Sequence, residues 1–395
     1  MTSVSTLAAL PAAIDLWPCD QYRFADLLTD AERAVLARLR AVLDAQVRPL
    51  LDEYWERGEF PSQVLPHLIA LDLMEPAGAL YAGFRNFELA RTDCSVATMY
   101  NAQSGLFRAT VRHGGSPAQA AELDPQVRSF ALSGVFALTE PDHGSDIARG
   151  LATTARRTGD TWVIDGAKRW IGGADAVDVL AVFARDVADG EVKAFLVPRK
   201  ADGVQLRKIH GKTALRMMQN FDVELHGVRV DDAARLGGIN SFRDVAGLLR
   251  RMRSDVAWIA CGVQAGAYEA ALRYTAERTQ FGRRIAGFQL VQEKLARMLA
   301  NLTASLALVV RLTQLQERGI YRDEDSALAK MTTSLHMRET VALAREVVGG
   351  NGITLATDVA RFHADAEAVY SYEGTHEINA LVVARAATGL SAFNR

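Results

Sequence analysis

The segment Val369–Leu381, VYSYEGTHEINAL, sets one carboxylate, Glu373, behind two tyrosines and ahead of Gly-Thr-His in an otherwise apolar C-terminal stretch. A glutamate on a helix face is ordinarily solvated. This one follows Ala366, Ala368 and Val369 and precedes a glycine able to end or kink a helix. That context suggests a half-buried carboxylate whose affinity for a proton is raised by burial, and hence a general base. His376 is close in sequence, and a helix cap or a solvent contact accounts for it equally well.

Three other segments break their local pattern. LTEPDHGSD (Leu138–Asp146) joins a strand to a turn rich in hydroxyl, acid and glycine; it reads either as a hairpin with Asx-turn chemistry or as backbone that approaches a polar ligand closely. ERTQFGRRIAGFQ (Glu277–Gln289) gathers Arg278, Arg283 and Arg284 around Phe281 and Gly282. Guanidinium groups pair bidentately with phosphate and an aromatic can cover a flat ring, yet a helix–helix corner with solvated arginines fits too. VVGGNGI (Val347–Ile353) is either a helix stop or a glycine turn against a cofactor. It is not the dinucleotide fingerprint, because no strand precedes it. No HExxH or CxxC spacing supports a metal site, and no GxSxG elbow supports a serine hydrolase.

The elements that must position these residues follow an α, β, α order. Leu28–Trp55 opens with Thr29 at an N-cap position and Glu32 three residues on, then repeats Val35, Leu36, Leu39, Val42 and Leu43 at helical spacing. Helical patterns continue to residue 134. From 135 to 238 short alternating runs such as TWVIDGAKRWI and VDVLAVFAR, bounded by Gly-Asp and Asp-Gly, predict a small β domain. Beyond it, ARMLANLTASLALVVRLTQLQERG and SALAKMTTSLHMRETVALAREVVGG predict two long helices in a domain spanning 239–395.

Composition narrows the partners. With 395 residues, 49% hydrophobic content and a net charge of -2, the chain has the mass for two or three ordinary cores. Lys+Arg 45 against Asp+Glu 47, with no block of one sign, gives no reason to expect nucleic acid or a membrane surface as partner, so the ligand is expected to be small. Three widely spaced cysteines suggest a reducing cytoplasm rather than a disulfide framework. Residues 1–17 carry no Lys or Arg ahead of their apolar stretch, which argues against a targeting segment. No stretch holds the roughly 18 uninterrupted apolar residues of a membrane span.

Taken in order, ALTEPDHGSD, IDGAKRWI, RTQFGRRIAGFQLVQEKLARM, AREVVGGNGI and AVYSYEGTHEINALVVARAATG resemble the acyl-CoA dehydrogenase family over nearly the whole chain, most closely its glutaryl-CoA dehydrogenase branch. The resemblance implies an α+β, mainly α fold: a helical N-terminal domain (1–134), a β-barrel-like middle domain (135–238) and a C-terminal four-helix bundle (239–395). It implies FAD, an acyl-CoA substrate, an electron-transfer flavoprotein as electron acceptor, and a homo-oligomer, at least a dimer and in the family's usual form a tetramer.

Carried over by position, Glu373 resembles the base that removes the α-proton of an acyl thioester while a hydride leaves the β-carbon for flavin N5, giving the trans-2-enoyl product. Leu138, Thr139 and Ser145 match positions around the flavin edge and the phosphates, Trp170 the tryptophan beside the ring, and Gly172 the position near N5. Arg278, Gln280 and Phe281 match the segment that reaches a neighbouring subunit's FAD, and Gly349, Gly350 and Thr375 match contacts to its ADP half. Ser145, Ala97, Asn101, Arg253, Tyr372 and Gly374 match substrate-contacting positions. Some relatives carry the base immediately before the arginine matched by Arg253, where this chain has Met252.

Departures point away from a glutaryl substrate. Ala97 stands where that branch carries the arginine that pairs with a distal carboxylate, with Arg108 or Arg85 as the available substitutes. Gly172 stands where most relatives carry threonine, and the Pro76–Asp93 stretch beside the acyl pocket is shorter than usual. The competing readings are a flavin-dependent monooxygenase or oxidase on the same fold, and a helical scaffold without catalysis.

Overall fold

The computed structural model describes residues 18–75 and 78–392. The segment read for targeting signals, Met1–Trp17, and the Pro76 edge of the shortened stretch lie outside the described residues.

Helix α1 (Asp30–Val42) starts where the sequence places it. Thr29 Oγ1 accepts from the Glu32 amide at 3.3 Å, and the Glu32 carboxylate accepts from the Thr29 amide at 2.8 Å. The single helix expected through Trp55 is instead divided. A π segment at Leu43–Val47 and a 3-10 turn at Arg48–Leu50 intervene before α2 (Leu51–Arg57). Pro49, which has no amide hydrogen to donate, lies in that turn.

Next come α3 (Leu65–Ile69), α4 (Ala79–Thr92), α5 (Cys94–Asn101), a second π segment (Ala102–Phe107), α6 (Arg108–Gly114) and α7 (Pro117–Arg128). Asp93 separates α4 from α5 and caps the latter, accepting from the amides of Ser95 and Val96 at 2.8 and 3.1 Å.

The middle of the chain is one seven-stranded sheet: β1 (Gly134–Ala137), β2 (Thr154–Thr158), β3 (Thr161–Gly172), β4 (Val179–Asp186), β5 (Val192–Pro198), β6 (Val204–Lys208) and β7 (Asn220–Asp231), with a single helical turn, α8 (Ile147–Gly150), between β1 and β2. Its order is β1-β4-β2-β3-β7-β6, with β5 on the other side of β4. Strand β4 pairs in parallel with β1 and β2, and the remaining pairs are antiparallel. Alternation along β3 and β7 buries Trp162, Ile164, Val223, Leu225 and Val228 on one face. Strand β3 breaks register against β7 between Lys168 and Ile171, and Trp170 sits in that irregularity at φ 65°. Bulges of this kind re-aim a side chain, and Trp170 is half exposed.

The C-terminal bundle comprises α9 (Phe242–Glu277), α10 (Gln289–Glu317), α11 (Asp323–Val348), α12 (Val359–Ser371) and α13 (His376–Thr388), with a two-strand hairpin, β8 (Thr279–Gln280) and β9 (Arg283–Arg284), between α9 and α10. Helix α9 is the axis of the molecule. A Cβ at Gly262 would lie 2.4 Å from the Phe87 carbonyl, and one at Gly266 would lie 2.3 Å from the Phe362 ring, so small residues let α4 and α12 close on α9. Phe84, Phe87, Trp258 and Phe362 fill that contact; burying each phenylalanine contributes about 1.5–3 kcal/mol. Helix α10 is apolar and long enough by composition to cross a membrane, but Met298, Leu302, Leu306 and Val309 pack into the bundle core.

Candidate active site

Glu373 lies in the four-residue link between α12 and α13, at φ 54°, followed by Gly374 at φ 87°. Two successive left-handed residues make a sharp turn. Gly374 adopts it without strain, whereas for a glutamate it is a costly conformation that surrounding contacts must hold.

Those contacts are specific. Lys330 on α11, fully buried, donates from Nζ to the carbonyl oxygens of Tyr370 at 2.7 Å and Gly374 at 2.9 Å, bracketing the turn. Asn379 on α13 donates to the same Gly374 oxygen at 2.8 Å and to Thr375 O at 3.0 Å. Thr375 caps α13 by accepting from the Ile378 amide at 3.3 Å. Upstream, α12 is fixed by Arg361, which pairs with the buried Asp93 at 2.8 Å, and by Asp365, which accepts from the Leu215 amide at 2.7 Å and Trp55 Nε1 at 3.3 Å. Burial and the neighbouring Asp93 raise the Asp365 carboxyl above its ordinary range.

Desolvation pushes Glu373 up to about 6, against the pull of Arg253 and Lys330, with Asp255 adding to the rise. The Glu373 side chain is half-buried. Lys330 is lowered to about 8 by its own burial, with Glu373 opposing that shift. Arg253 Nε, His376 Nδ1 and Asn379 Oδ1 are buried without a hydrogen-bond partner. Three buried polar atoms without a protein partner, in the electrostatic and sequence neighbourhood of a half-buried carboxylate, mark a candidate ligand site.

The structure therefore brings Arg253, Tyr372, Gly374 and Thr375 together around Glu373. Tyr372 OH lies 3.5 Å from Thr98 Oγ1 on α5, one turn before Asn101 and next to Ala97. Ala97 itself is buried in the main core. Of the two arginines expected as substitutes for the missing charge, Arg108 is engaged by Asp124 at 2.6 and 3.1 Å. Arg85 bonds Asn86 and the Leu73 carbonyl.

A second group forms where β1 ends against β3. Arg169 donates its amide to the Thr139 carbonyl at 2.8 Å, and the buried Lys168 donates to Leu138 O at 3.1 Å and to Glu140 at 2.8 Å. Glu140 also accepts from the Ala152 and Thr153 amides at 2.7 and 2.9 Å. This pair locks the strand exits beside Trp170, whose ring carries the Arg169 guanidinium 4.9 Å from its centroid. Gly172 packs under Met218: a Cβ there would meet Met218 Cε at 2.3 Å. Ser145 is exposed in the turn between β1 and α8.

Arg278, Gln280 and Phe281 occupy the β8–β9 hairpin at the corner of the bundle, and Phe281 is 93% exposed. The Gly349–Gly350 turn lies near that corner, since Asn351 Nδ2 donates to Tyr274 OH at 2.9 Å on the last turns of α9. Among the described residues no hydrogen bond links this corner to the Trp170 group. The chain thus presents two separate sets of predicted cofactor residues, one beside the sheet and one pointing outward.

Comparison with known proteins decides the family. Residues 29–130, 135–228 and 242–388 match the N-terminal, middle and C-terminal domain models of acyl-CoA dehydrogenases. The chain belongs to the acyl-CoA dehydrogenase family. A probable acyl-CoA dehydrogenase of Bacillus subtilis is 30% identical over 91% of this chain and 98% of its own length. A subunit of the caffeyl-CoA reductase-Etf complex of Acetobacterium woodii is 29% identical over 85% and 92%. The structure of a glutaryl-CoA dehydrogenase of Mycobacterium smegmatis in complex with FADH2 superimposes with TM-score 0.90 at 29% identity, covering 95% of this chain and 99% of that one.

The fold is accordingly the acyl-CoA dehydrogenase fold, as the sequence strings implied, and the protein is an FAD-dependent oxidoreductase. Two features fit a flavin on this chain's own residues: an aromatic, Trp170, turned outward by a strand irregularity, and orphaned polar atoms at the start of α13. Sequence reasoning missed Lys330, the Lys168–Glu140 pair and Asp255. A signal existed for each, namely a charge set into an apolar helical run (Lys330 in SALAKMTTSL, Asp255 in RSDVAWIACGV) or two opposite charges inside the matched strings.

Proposed function

We propose that this acyl-CoA dehydrogenase oxidises a saturated acyl thioester, with CoA as carrier, across its α,β bond, and that Glu373 is the base. The observation that carries this reading is the Glu373 turn: a carboxylate held in a strained conformation by Lys330 and Asn379, raised to about 6 by burial, with Arg253 keeping it ionised near neutral pH.

Glu373 takes the α-hydrogen as a proton, and the electrons of that C–H bond move toward the thioester carbonyl. The oxygen that gains charge needs donors aimed at it, and the Glu373 amide is the one the family resemblance supplies. FAD supplies the acceptor for the hydride that leaves the β-carbon, so two hydrogens and two electrons depart and a trans double bond forms. Tyr372, anchored toward Thr98, borders the acyl group. Trp170, Leu138, Thr139, Ser145 and Gly172 would hold the flavin end of the cofactor, a role that the outward turn of Trp170 supports. Arg278, Gln280, Phe281, Gly349 and Gly350 reach a neighbouring subunit's cofactor, which the outward placement of Phe281 supports.

The active form is then a homotetramer. An electron-transfer flavoprotein is the acceptor, a reading supported by the Etf-linked relative. The absence of charge at Ala97 and the engagement of Arg108 by Asp124 support a non-dicarboxylic substrate. The three described thiols, all free and buried, support a reducing, cytoplasmic location.

Anaerobic titration of the holoenzyme with straight, branched and dicarboxylic acyl-CoAs tests the proposal. Bleaching of the flavin by at least one is expected; intact flavin colour with every thioester contradicts it.

A further inference from the structure

A cavity of about 370 Å³ opens between the start of α4, the second π segment, α9 and the end of α10. Gly105 and Asp255 line it; Asp255 is close enough to Glu373 to act on its carboxyl, and Asn101, beside Gly105, lies one turn beyond Thr98, which contacts Tyr372. Trp258 lines it as well. Its indole is so close to α4 that a Cβ at Gly83 would lie 2.2 Å from it, and its Nε1 is fixed on Thr313 Oγ1 at 3.0 Å.

Asp255, two residues beyond Arg253, lines this cavity. Among the described residues no side chain hydrogen-bonds or ion-pairs its carboxylate. Arg85 is the cation acting on it, and Arg85 is held elsewhere: on Asn86 Oδ1 at 3.1 Å, on the Leu73 carbonyl at 3.4 Å and over the Tyr100 ring.

A guanidinium has donors only, so Asn86 turns its oxygen to Arg85 and its Nδ2 to Asn101 Oδ1, at 3.4 Å. Asn101 thereby presents an acceptor. A Cβ at Gly105 would lie 2.2 Å from Asn101 Oδ1 and 2.6 Å from Asp255 Oδ2. Two acceptor oxygens converge where the π segment lacks a side chain. Arg251 and Glu317, of opposite charge, also line the cavity, so the choice falls to the Asp255 oxygens, where a hydrocarbon chain would strip water from a carboxylate and return nothing and a second carboxylate would be repelled.

We propose that this cavity receives the far end of an acyl group bearing a hydrogen-bond donor, an amine or a hydroxyl, and that Asp255 selects it. The inference rests on the thioester reading of Glu373 and names its substrate class. A site built around a polar contact discriminates sharply against the analogue that lacks it, because its own groups are left unpaired.

The test uses the holoenzyme and four CoA thioesters of equal chain length ending in methyl, hydroxyl, amine or carboxylate, together with their non-oxidisable thioether counterparts. The expected result is that the hydroxyl- or amine-ended thioester reduces the flavin with kcat/KM at least about tenfold above the methyl-ended one. Asp255→Leu should reverse that order. Preference for the amine shows charge pairing, preference for the hydroxyl a neutral bond, and either supports the proposal. Preference for methyl or carboxylate in the parent, or an unchanged ranking in Asp255→Leu, overturns it. Asp255→Ala, which also removes both acceptor oxygens, serves if the leucine variant does not fold, and is read by the same criterion. If no thioester reduces the flavin, the reading of Glu373 fails. The thioether affinities, measured by calorimetry, still decide the cavity: equal affinity for all four overturns the present inference, and tighter binding of the donor-bearing pair upholds it.

Discussion

The ammonium of Lys330 donates to the Gly374 carbonyl at 2.9 Å, from a helix some forty residues earlier in the chain. With its second bond to the Tyr370 carbonyl it holds both sides of the turn that carries Glu373. A lysine pointing at carbonyls in a buried site is costly to desolvate, so its presence implies that the turn needs it.

Lys330→Met tests this. It leaves two half-buried carbonyls short of a donor, and a destabilisation of about 2–4 kcal/mol is expected from the usual penalty for unsatisfied groups. The measurable results are a lower unfolding temperature and flavin reduction slowed more than substrate binding is weakened. Unchanged stability would show that the two bonds are incidental.

The pH profile follows from the base's environment. As the proposed base, Glu373 would act only when ionised, so its protonation at low pH should remove activity. Flavin reduction should rise with pH through about 6 and level off above it. Arg253 lowers the Glu373 value, hence Arg253→Met should move the midpoint upward. A midpoint near the ordinary glutamate range, in parent and variant alike, would contradict the assigned burial.

Lys168→Met should break the buried pair with Glu140 while leaving that carboxylate on two backbone amides. Removing one partner of a buried ion pair typically costs about 3–5 kcal/mol. Because the pair fixes Leu138 and the neighbouring Thr139 against β3, FAD should also be released more readily, as followed by dialysis and absorbance.

Gly172→Thr introduces the residue that the family resemblance implies at this position, yet a Cβ there would lie 2.3 Å from Met218 Cε. The methionine end is flexible, so the expected cost is about 1–3 kcal/mol. Gly172→Thr combined with Met218→Ala should recover stability relative to the single variant. Denaturant midpoints of the four proteins in this cycle give the coupling directly.

Much of this was legible in the sequence. Thr29 and Glu32 announce α1 because a capping box is local chemistry, and the Gly-Asp turn announces the β2–β3 hairpin for the same reason. Glu373 stood out because a carboxylate before a glycine contradicts its apolar neighbourhood. What was not legible depends on distant partners. Nothing local to SALAKMTT reveals that Lys330 meets a turn more than forty residues on, and nothing local to RSDVAW reveals that Asp255 faces a π segment opened by Gly105. The division of the first helix was missed because its apolar spacing outweighed Pro49 in the reading, whereas the backbone cannot donate there.

The central claim is that Glu373 removes the α-hydrogen, and isotope exchange measures that act alone. Parent and Glu373→Gln holoenzymes, incubated without oxygen in D2O with a saturated acyl-CoA that the parent oxidises, are compared by mass spectrometry for deuterium at the α-carbon of the recovered substrate. The account predicts exchange by the parent and its loss by about 10²–10⁴-fold in the variant, with FAD and thioester binding retained. Exchange by Glu373→Gln at close to the parental rate would contradict it.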